Sequence, residues 1–218
     1  MPFENREEAA VLLARRLEMY KGRHPLVLAI PRGAVPMGKL VADALDGDLD
    51  VVLVRKLRAP FNPELAIGSI DETGATYLDA GLTGLWDEPY LDHEIATQLE
   101  TLRHRRQMYE PTAAPIDSSG RVAIVLDDGI ATGSTMIAAL RAVRVRRPAR
   151  LIAATAVASP EALRLIRDEA DEVVCLETPP ELRAIGLHFR DFAQVSDDEV
   201  VAALRDARRS RDTRQTSM

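Results

Sequence analysis

The stretch VAIVLDDGIATGSTMIAAL, residues 122–140, decides how the chain is read. VAIVL is a continuous apolar run, as a strand covered on both faces of a parallel sheet requires. Asp127 and Asp128 then stand at its carboxyl end, where open α/β sheets bind ligands. Residues 129–135 form the crossing loop, and a helix starts near Ser134 or Thr135. The first backbone N–H groups of that helix lack intrahelical partners and carry the positive end of its dipole, which suits a phosphate monoester. Thr132, Ser134 and Thr135 add hydroxyl donors, while Gly129 and Gly133 allow close approach of the backbone. No Lys precedes Ser134 and no GxGxxG occurs, so neither the NTPase loop nor the dinucleotide fingerprint is present. Two carboxylates beside an anion site repel the anion unless they have other work. Vicinal hydroxyls, which donate to ionised acids, are their natural partners, and the implied ligand is a sugar phosphate with a free diol.

Outward from this stretch the pattern alternates. Helical spacing over residues 5–20 is followed by the apolar run LVLAI (26–30), helix over 38–45, and strand over LDVVLV (49–54). After the central strand come helix over 136–145, strand RLIAATAV (150–157), helix over 160–169 and strand EVVCL (172–176). Such runs separated by helices predict an α/β domain with a parallel sheet flanked by helices, occupying residues 1–205. The alternation lapses between Arg55 and Gly120. FNPELAIGSIDETGATYLD (61–79) reads as an irregular loop and then a hairpin turning at residues 72–74; residues 91–110 read as a polar helix and PTAAPIDSSG (111–120) as a loop. So long an excursion in a compact domain is more often functional than accidental. Residues 206–218 carry almost no apolar side chains and read as a disordered tail.

The 218 residues, 46% hydrophobic and 28% charged, can bury a core as one soluble domain. A net charge of −6 argues against nucleic acid or an acidic membrane as partner. Cys175 is the only cysteine, which excludes an internal disulfide and points to a reducing, cytoplasmic setting; within EVVCLE it reads as a buried strand residue. His24, His93, His104 and His188 are scattered, with no zinc-type cluster. No apolar stretch approaches the length of a membrane span.

VLDDGIATGST (125–135) resembles the phosphoribosyl diphosphate (PRPP) signature of the type I phosphoribosyltransferases. The resemblance implies that Asp127 and Asp128 hold the ribose hydroxyls. It gives the 5′-phosphate to Gly129, Ile130 and Ala131 together with Thr132, Gly133, Ser134 and Thr135. AIPRGAVPMG (29–38) is similar to the family's pyrophosphate loop, where Arg32, Gly33 and Ala34 face the diphosphate. VVLVRKLRAP (51–60) resembles the adenine- and orotate-type enzymes and puts Lys56, or Arg55, beside the same group. The family also implies a flexible lid, here about residues 57–120, and a small hood over the acceptor, here about residues 177–200. The implied reaction is attack by a ring nitrogen of a nucleobase-like acceptor at C1 of PRPP. Pyrophosphate leaves, and Mg²⁺ is held by substrate and water without direct protein ligands. Asp127, Asp128, Lys56 and Arg32 are the catalytic candidates, and a homodimer acting in nucleotide salvage is the implied setting.

Phe189 or Phe192 is placed to stack on the base, or else belongs to the core. RHRR (103–106) either brings charge to the diphosphate or forms a solvated helix face. The family's loop holds a cis peptide after the first strand, which the sequence assigns to the bond between Ile30 and Pro31, with that between Pro31 and Arg32 as the alternative. A PRPP-sensing regulator with little turnover is the competing function.

Overall fold

The computed structural model describes residues 2–82, 84, 86–109 and 114–216, with the side chains of residues 63, 64 and 214–216 left aside. Among these residues fourteen α-helices and β-strands follow one another: α1 (Arg6–Arg16), β1 (Leu26–Ala29), α2 (Ala34–Ala44), β2 (Asp48–Val51), β3 (Val54–Ala59), β4 (Asn62–Asp71), β5 (Thr76–Leu78), α3 (Glu88–Tyr109), β6 (Val122–Ile130), α4 (Ser134–Val145), β7 (Arg150–Ala158), α5 (Pro160–Arg167), β8 (Glu172–Glu177) and α6 (Asp197–Thr216). Five strands form a sheet in the order β2-β1-β6-β7-β8, every neighbouring pair parallel.

Side chains on successive strand residues leave opposite faces, and the apolar runs use both. Ile124 and Leu126 of β6 join Leu13 of α1, Val41 of α2 and Leu204 of α6 on one side. Ala123 and Val125 join Leu140 and Val143 of α4 and Leu163 of α5 on the other. The hydrophobic effect on two faces is therefore what turns continuous apolar runs into a central parallel sheet. The α/β architecture expected from the sequence is the one observed.

The excursion is more ordered than its sequence suggests. FNPEL enters β4 instead of an irregular loop, and β3, β4 and β5 make a separate three-stranded sheet, antiparallel throughout. The hairpin turn falls between Asp71 and Ala75, where Asp71 Oδ1 accepts from the amides of Thr73 and Ala75 at 2.9 and 3.0 Å. This small sheet packs over α4, with α3 against its β3 and β4 strands. The loop reading of PTAAPIDSSG falls partly, at residues 111–113, outside the described residues.

Three residues of RHRR fit the reading as a solvated helix face, and Arg106 fits neither reading. Arg103, His104 and Arg105 are exposed, but Arg106 is buried. Its guanidinium donates from Nε and Nη2 to Glu72, in the β4–β5 turn, from Nη1 to Asp50 Oδ1 at 2.6 Å and from Nη2 to the Val51 carbonyl at 3.2 Å. Asp50 Oδ2 also accepts from the Ile116 amide at 2.8 Å. One residue of α3 thus pins the inserted hairpin to β2. Burial pushes the Glu72 carboxyl up, and the Arg106 charge opposes that push.

The C-terminal residues also depart from expectation: α6 continues through Thr216. Ser196 opens it as a capping box, its hydroxyl accepting from the Glu199 amide at 3.2 Å while Glu199 Oε2 accepts from the Ser196 amide at 2.7 Å. Val200, Leu204 and Ala207 bury the apolar stripe. Beyond it, Arg211 reaches to within 4.0 Å of Asp48, so an ion pair holds a segment that lacks apolar anchors. Cys175 is half-buried, because its strand β8 is the sheet edge. Burial still raises its thiol above the ordinary range, which disfavours a nucleophilic role.

Replacing Arg106 by Ala leaves Glu72 and Asp50 as uncompensated buried acids. Urea denaturation should show a loss of about 3–5 kcal/mol, the cost of breaking a buried ion pair from one side.

Candidate functional site

The register of β6 makes the site. β1 pairs with it only as far as Ala29 opposite Leu126, whereas β7 follows it on to Ala158 opposite Ile130. The two acids therefore lie beyond the end of β1 but still on regular strand. Two details of the expected loop change accordingly. Gly129 and Ile130 belong to β6, and Ile130 is buried in the core. The lack of a side chain at Gly129 serves the hood: an added Cβ would sit 2.3 Å from Ile185 Cγ2.

The loop proper is Ala131, Thr132 and Gly133. Gly133 has φ 82° and ψ −11°, a left-handed conformation that favours glycine, and no side chain caps the start of α4. Ala131, Thr132 and Thr135 are exposed, and Ser134 is half-buried. The Thr132 and Ser134 hydroxyls lie 3.2 Å apart. From the far side, the Ser159 hydroxyl donates to the Ala131 carbonyl at 2.7 Å and accepts from the Ala162 amide at 3.0 Å. One serine caps α5 and fixes the loop.

Asp127 is half-buried, its Oδ1 accepting from the Asp128 amide at 2.9 Å. Burial, and then the neighbouring Asp128 charge, push its carboxyl well above the ordinary carboxylate range. Asp128 is raised by burial too, but Arg6 opposes the rise. Arg6 Nε donates to Asp128 Oδ2 at 2.9 Å, and Nη2 lies 2.9 Å from the same oxygen. Its Nη1 donates to the Ala193 carbonyl at 2.7 Å, and its guanidinium carbon sits 3.8 Å over the Phe192 ring. Nothing in the sequence pattern marked Arg6; it is the first residue of a helix that reads as amphipathic cover.

The loop after β1 comes up against the acids. A Cβ on Gly33 would lie 2.1 Å from Asp128 Oδ2, so only glycine lets the two segments approach this closely. The cis peptide is the one between Pro31 and Arg32, not the one between Ile30 and Pro31. Ala34 is buried as the first residue of α2. Arg32 is half-buried and lies 3.6 Å from Asp197 at the start of α6.

Arg32, Gly33 and Asp128 share a cavity of about 460 Å³ with Arg6, Ile185 and Phe192. Lys56 is exposed on β3 and lines a different cavity beside Ser134 and Arg141. Arg55 points to the other side of β3, where its Nε donates to Gln98 of α3. The structure therefore brings Arg32 to the cavity of Asp128, Lys56 to the head of α4, and Arg55 to neither. Phe189 is buried between Phe3 and Phe192, at ring distances of 5.4 and 4.9 Å; of the two candidate aromatics only Phe192 faces the cavity.

The chain is similar to known proteins over nearly all of its length. A Thermus thermophilus protein, TT1426, superposes with a TM-score of 0.88 at 41% identity, over 94% of this chain and 99% of that one. Two proteins from Mycobacterium tuberculosis strains CDC 1551 and H37Rv, each named "Putative phosphoribosyl transferase", are 40% identical over 210 residues, 95% of this chain. The chain spans about half the length of these two relatives, 47% of each. The phosphoribosyl transferase domain pattern matches residues 4–189, and the chain belongs to that family.

Proposed function

We propose that the chain moves the 5-phosphoribosyl group of PRPP to a ring nitrogen of a nucleobase-like acceptor and releases pyrophosphate. The observation that carries this reading is the meeting of three features at the carboxyl end of the sheet. These are the paired acids beyond the end of β1, the uncapped start of α4 and the Arg32–Gly33 loop in contact range of Asp128. A phosphate on the amides at the head of α4 and a diol on the acids would direct the diphosphate toward the Arg32 loop.

In the transfer, the bond from C1 to the diphosphate oxygen breaks and its electron pair leaves with pyrophosphate, while the acceptor nitrogen bonds C1 from the opposite face and gives up its ring proton to water. Negative charge grows on the leaving group, where Arg32 and loop amides stabilise it electrostatically. The carboxylates ease positive charge on the ribose ring. Mg²⁺ would supply further neutralisation of the diphosphate, and it commonly binds through substrate oxygens and water. The donor set fits that mode: Arg32 and Gly33 would border the diphosphate, and Asp128 would lie on the ribose side. Lys56, beside Ser134, is placed to approach the phosphate end of the substrate. The hood cavity with Phe192 is the acceptor's place. The same reading takes the protein as a homodimer acting on small molecules in the cytoplasm. Incubating labelled PRPP and Mg²⁺ with a panel of nucleobases and following pyrophosphate release tests it; PRPP binding with no release from any base would favour a sensor.

The acids make a separable prediction. Asp127→Asn and Asp128→Asn should each weaken PRPP binding by about 1.5–3 kcal/mol, the worth of a hydrogen bond to a charged group. Stability should move differently. The folded-state Asp127 carboxyl is raised, so the folded chain bears a cost that is absent below the unfolded value of about 3.9 and grows as pH rises toward the folded one. Asp127→Asn removes that cost and should melt at an equal or higher temperature at pH 7. PRPP affinity of the wild type should fall as pH drops through the raised range of Asp127, and calorimetry on Asp127→Asn should lack that limb.

A crystal grown from sulfate should hold the anion on the backbone amides between Ala131 and Thr135, whose helical donors lack intrahelical partners. Sulfate elsewhere, with only water on this loop, would overturn the phosphate assignment.

A further inference from the structure

Arg6 occupies a position that helix physics disfavours. It is the first residue of α1, behind the Asn5 cap and ahead of Glu7 and Glu8, where the dipole favours acids. Its guanidinium is instead committed to tertiary contacts with residues far along the chain. Two nitrogens close on one oxygen of Asp128, a third holds the Ala193 carbonyl, and the flat face lies on Phe192. The Arg6 and Asp128 side chains are each only 13% exposed, so the pair is poorly screened by water.

The charges around Asp128 show why one cation matters. Asp127 adjoins it on β6. Arg32, from the loop before α2, lines the same cavity but pairs with Asp197 of α6. From the hood, Ile185, Phe192, Gln194 and Val195 bring no charge to the cavity wall. Glu199 of α6 feels the Arg6 charge and is itself held by Ser196. Among these groups only Arg6 touches the Asp128 carboxylate.

We propose that Arg6 is a positioning residue of the ribose site: its fork clamps Oδ2 of Asp128 and, through Phe192 and Ala193, fastens that carboxylate to the acceptor hood. This rests on the reading of the two acids as ribose ligands. An ionised carboxylate has about four acceptor sites, so a clamp on one oxygen leaves lone pairs for the diol while the Arg6 charge opposes the protonation that burial favours. Arg suits the task and Lys does not, because the role needs two parallel donors and a stacking face.

The test is calorimetric titration of wild type, Arg6→Lys and Arg6→Gln with PRPP and Mg²⁺, and separately with inorganic phosphate, between pH 6 and 9. Arg6→Gln should bind PRPP about 10-fold more weakly or worse at neutral pH, the scale of a lost charged hydrogen bond, and the deficit should shrink as pH rises and Asp128 ionises unaided. Arg6→Lys should recover part of the loss. Phosphate binding to the loop at α4 should match wild type in both, which a general disturbance of the fold would not allow. Wild-type PRPP affinity in Arg6→Gln, or a pH-independent deficit, would overturn the proposal. If Arg6→Gln does not fold, Arg6→Lys decides, and wild-type affinity there would also overturn it. A wild type that binds phosphate but not PRPP would instead overturn the ribose reading on which the proposal rests.

Discussion

The structure depends on the cost of holding two adjacent carboxylates at the end of a strand that is otherwise apolar. Asp127 and Asp128 follow VAIVL directly, and β6 delivers them to a place where burial raises both. A carboxylate in such a place needs a hydrogen-bonded partner or a proton. The fold gives them unequal help. Among the described residues Asp127 accepts from the Asp128 amide, whereas Asp128 has Arg6. The site is therefore an electrostatically costly feature of an otherwise apolar sheet, and the remaining elements can be read as what tolerates or exploits it.

That tolerance begins with the core. Strands buried on both faces by α1, α2 and α6 on one side and by α4 and α5 on the other hold the β6 backbone in place. The unequal lengths of its neighbours then do the chemical work: β1 stops, β7 continues, and the acids emerge into the gap. The insertion is fastened independently. Arg106 holds its hairpin turn to β2, and Arg146, just past the end of α4, pairs with Asp71 at the same turn. Both anchors lie away from the acids, so the small sheet beside α4 is positioned without using the paired carboxylates.

The sequence showed what periodicity and charge can show. Continuous apolar runs separated by helices require a covered parallel sheet, and DDGIATGST after such a run places a Gly/Thr-rich turn before a helix whose start no side chain caps. What it hid was of two kinds. The strand β4 was obscured because NPELAIGS contains a proline and a glycine, which read as loop; Gly68 is needed there because a Cβ would meet the Tyr77 carbonyl at 2.2 Å across the hairpin. The helical tail was hidden because its anchors are arginines, whose partners Asp48 and the Ala114 carbonyl lie far away in sequence. Arg6 and Arg106 are the same case. An arginine on a helix looks solvated until a distant carboxylate is known to be opposite it.

The N-terminus shows how these hidden contacts join into one device. Phe3 pairs its backbone with the hood on both sides, its amide donating to the His188 carbonyl and its carbonyl accepting from the Arg190 amide, each at 2.8 Å. Three residues later Arg6 reaches Phe192 of that hood and Asp128 of the central strand. The segment that shapes the cavity roof thus also sets the charge balance of the acids beneath it. A hood built from residues near 190 has few backbone bonds of its own, and short 3₁₀ turns such as the one at Ile185–His188 are weak scaffolds. Its geometry is borrowed from the first helix, so changes in the first six residues should be felt in the cavity even though most of them never line it.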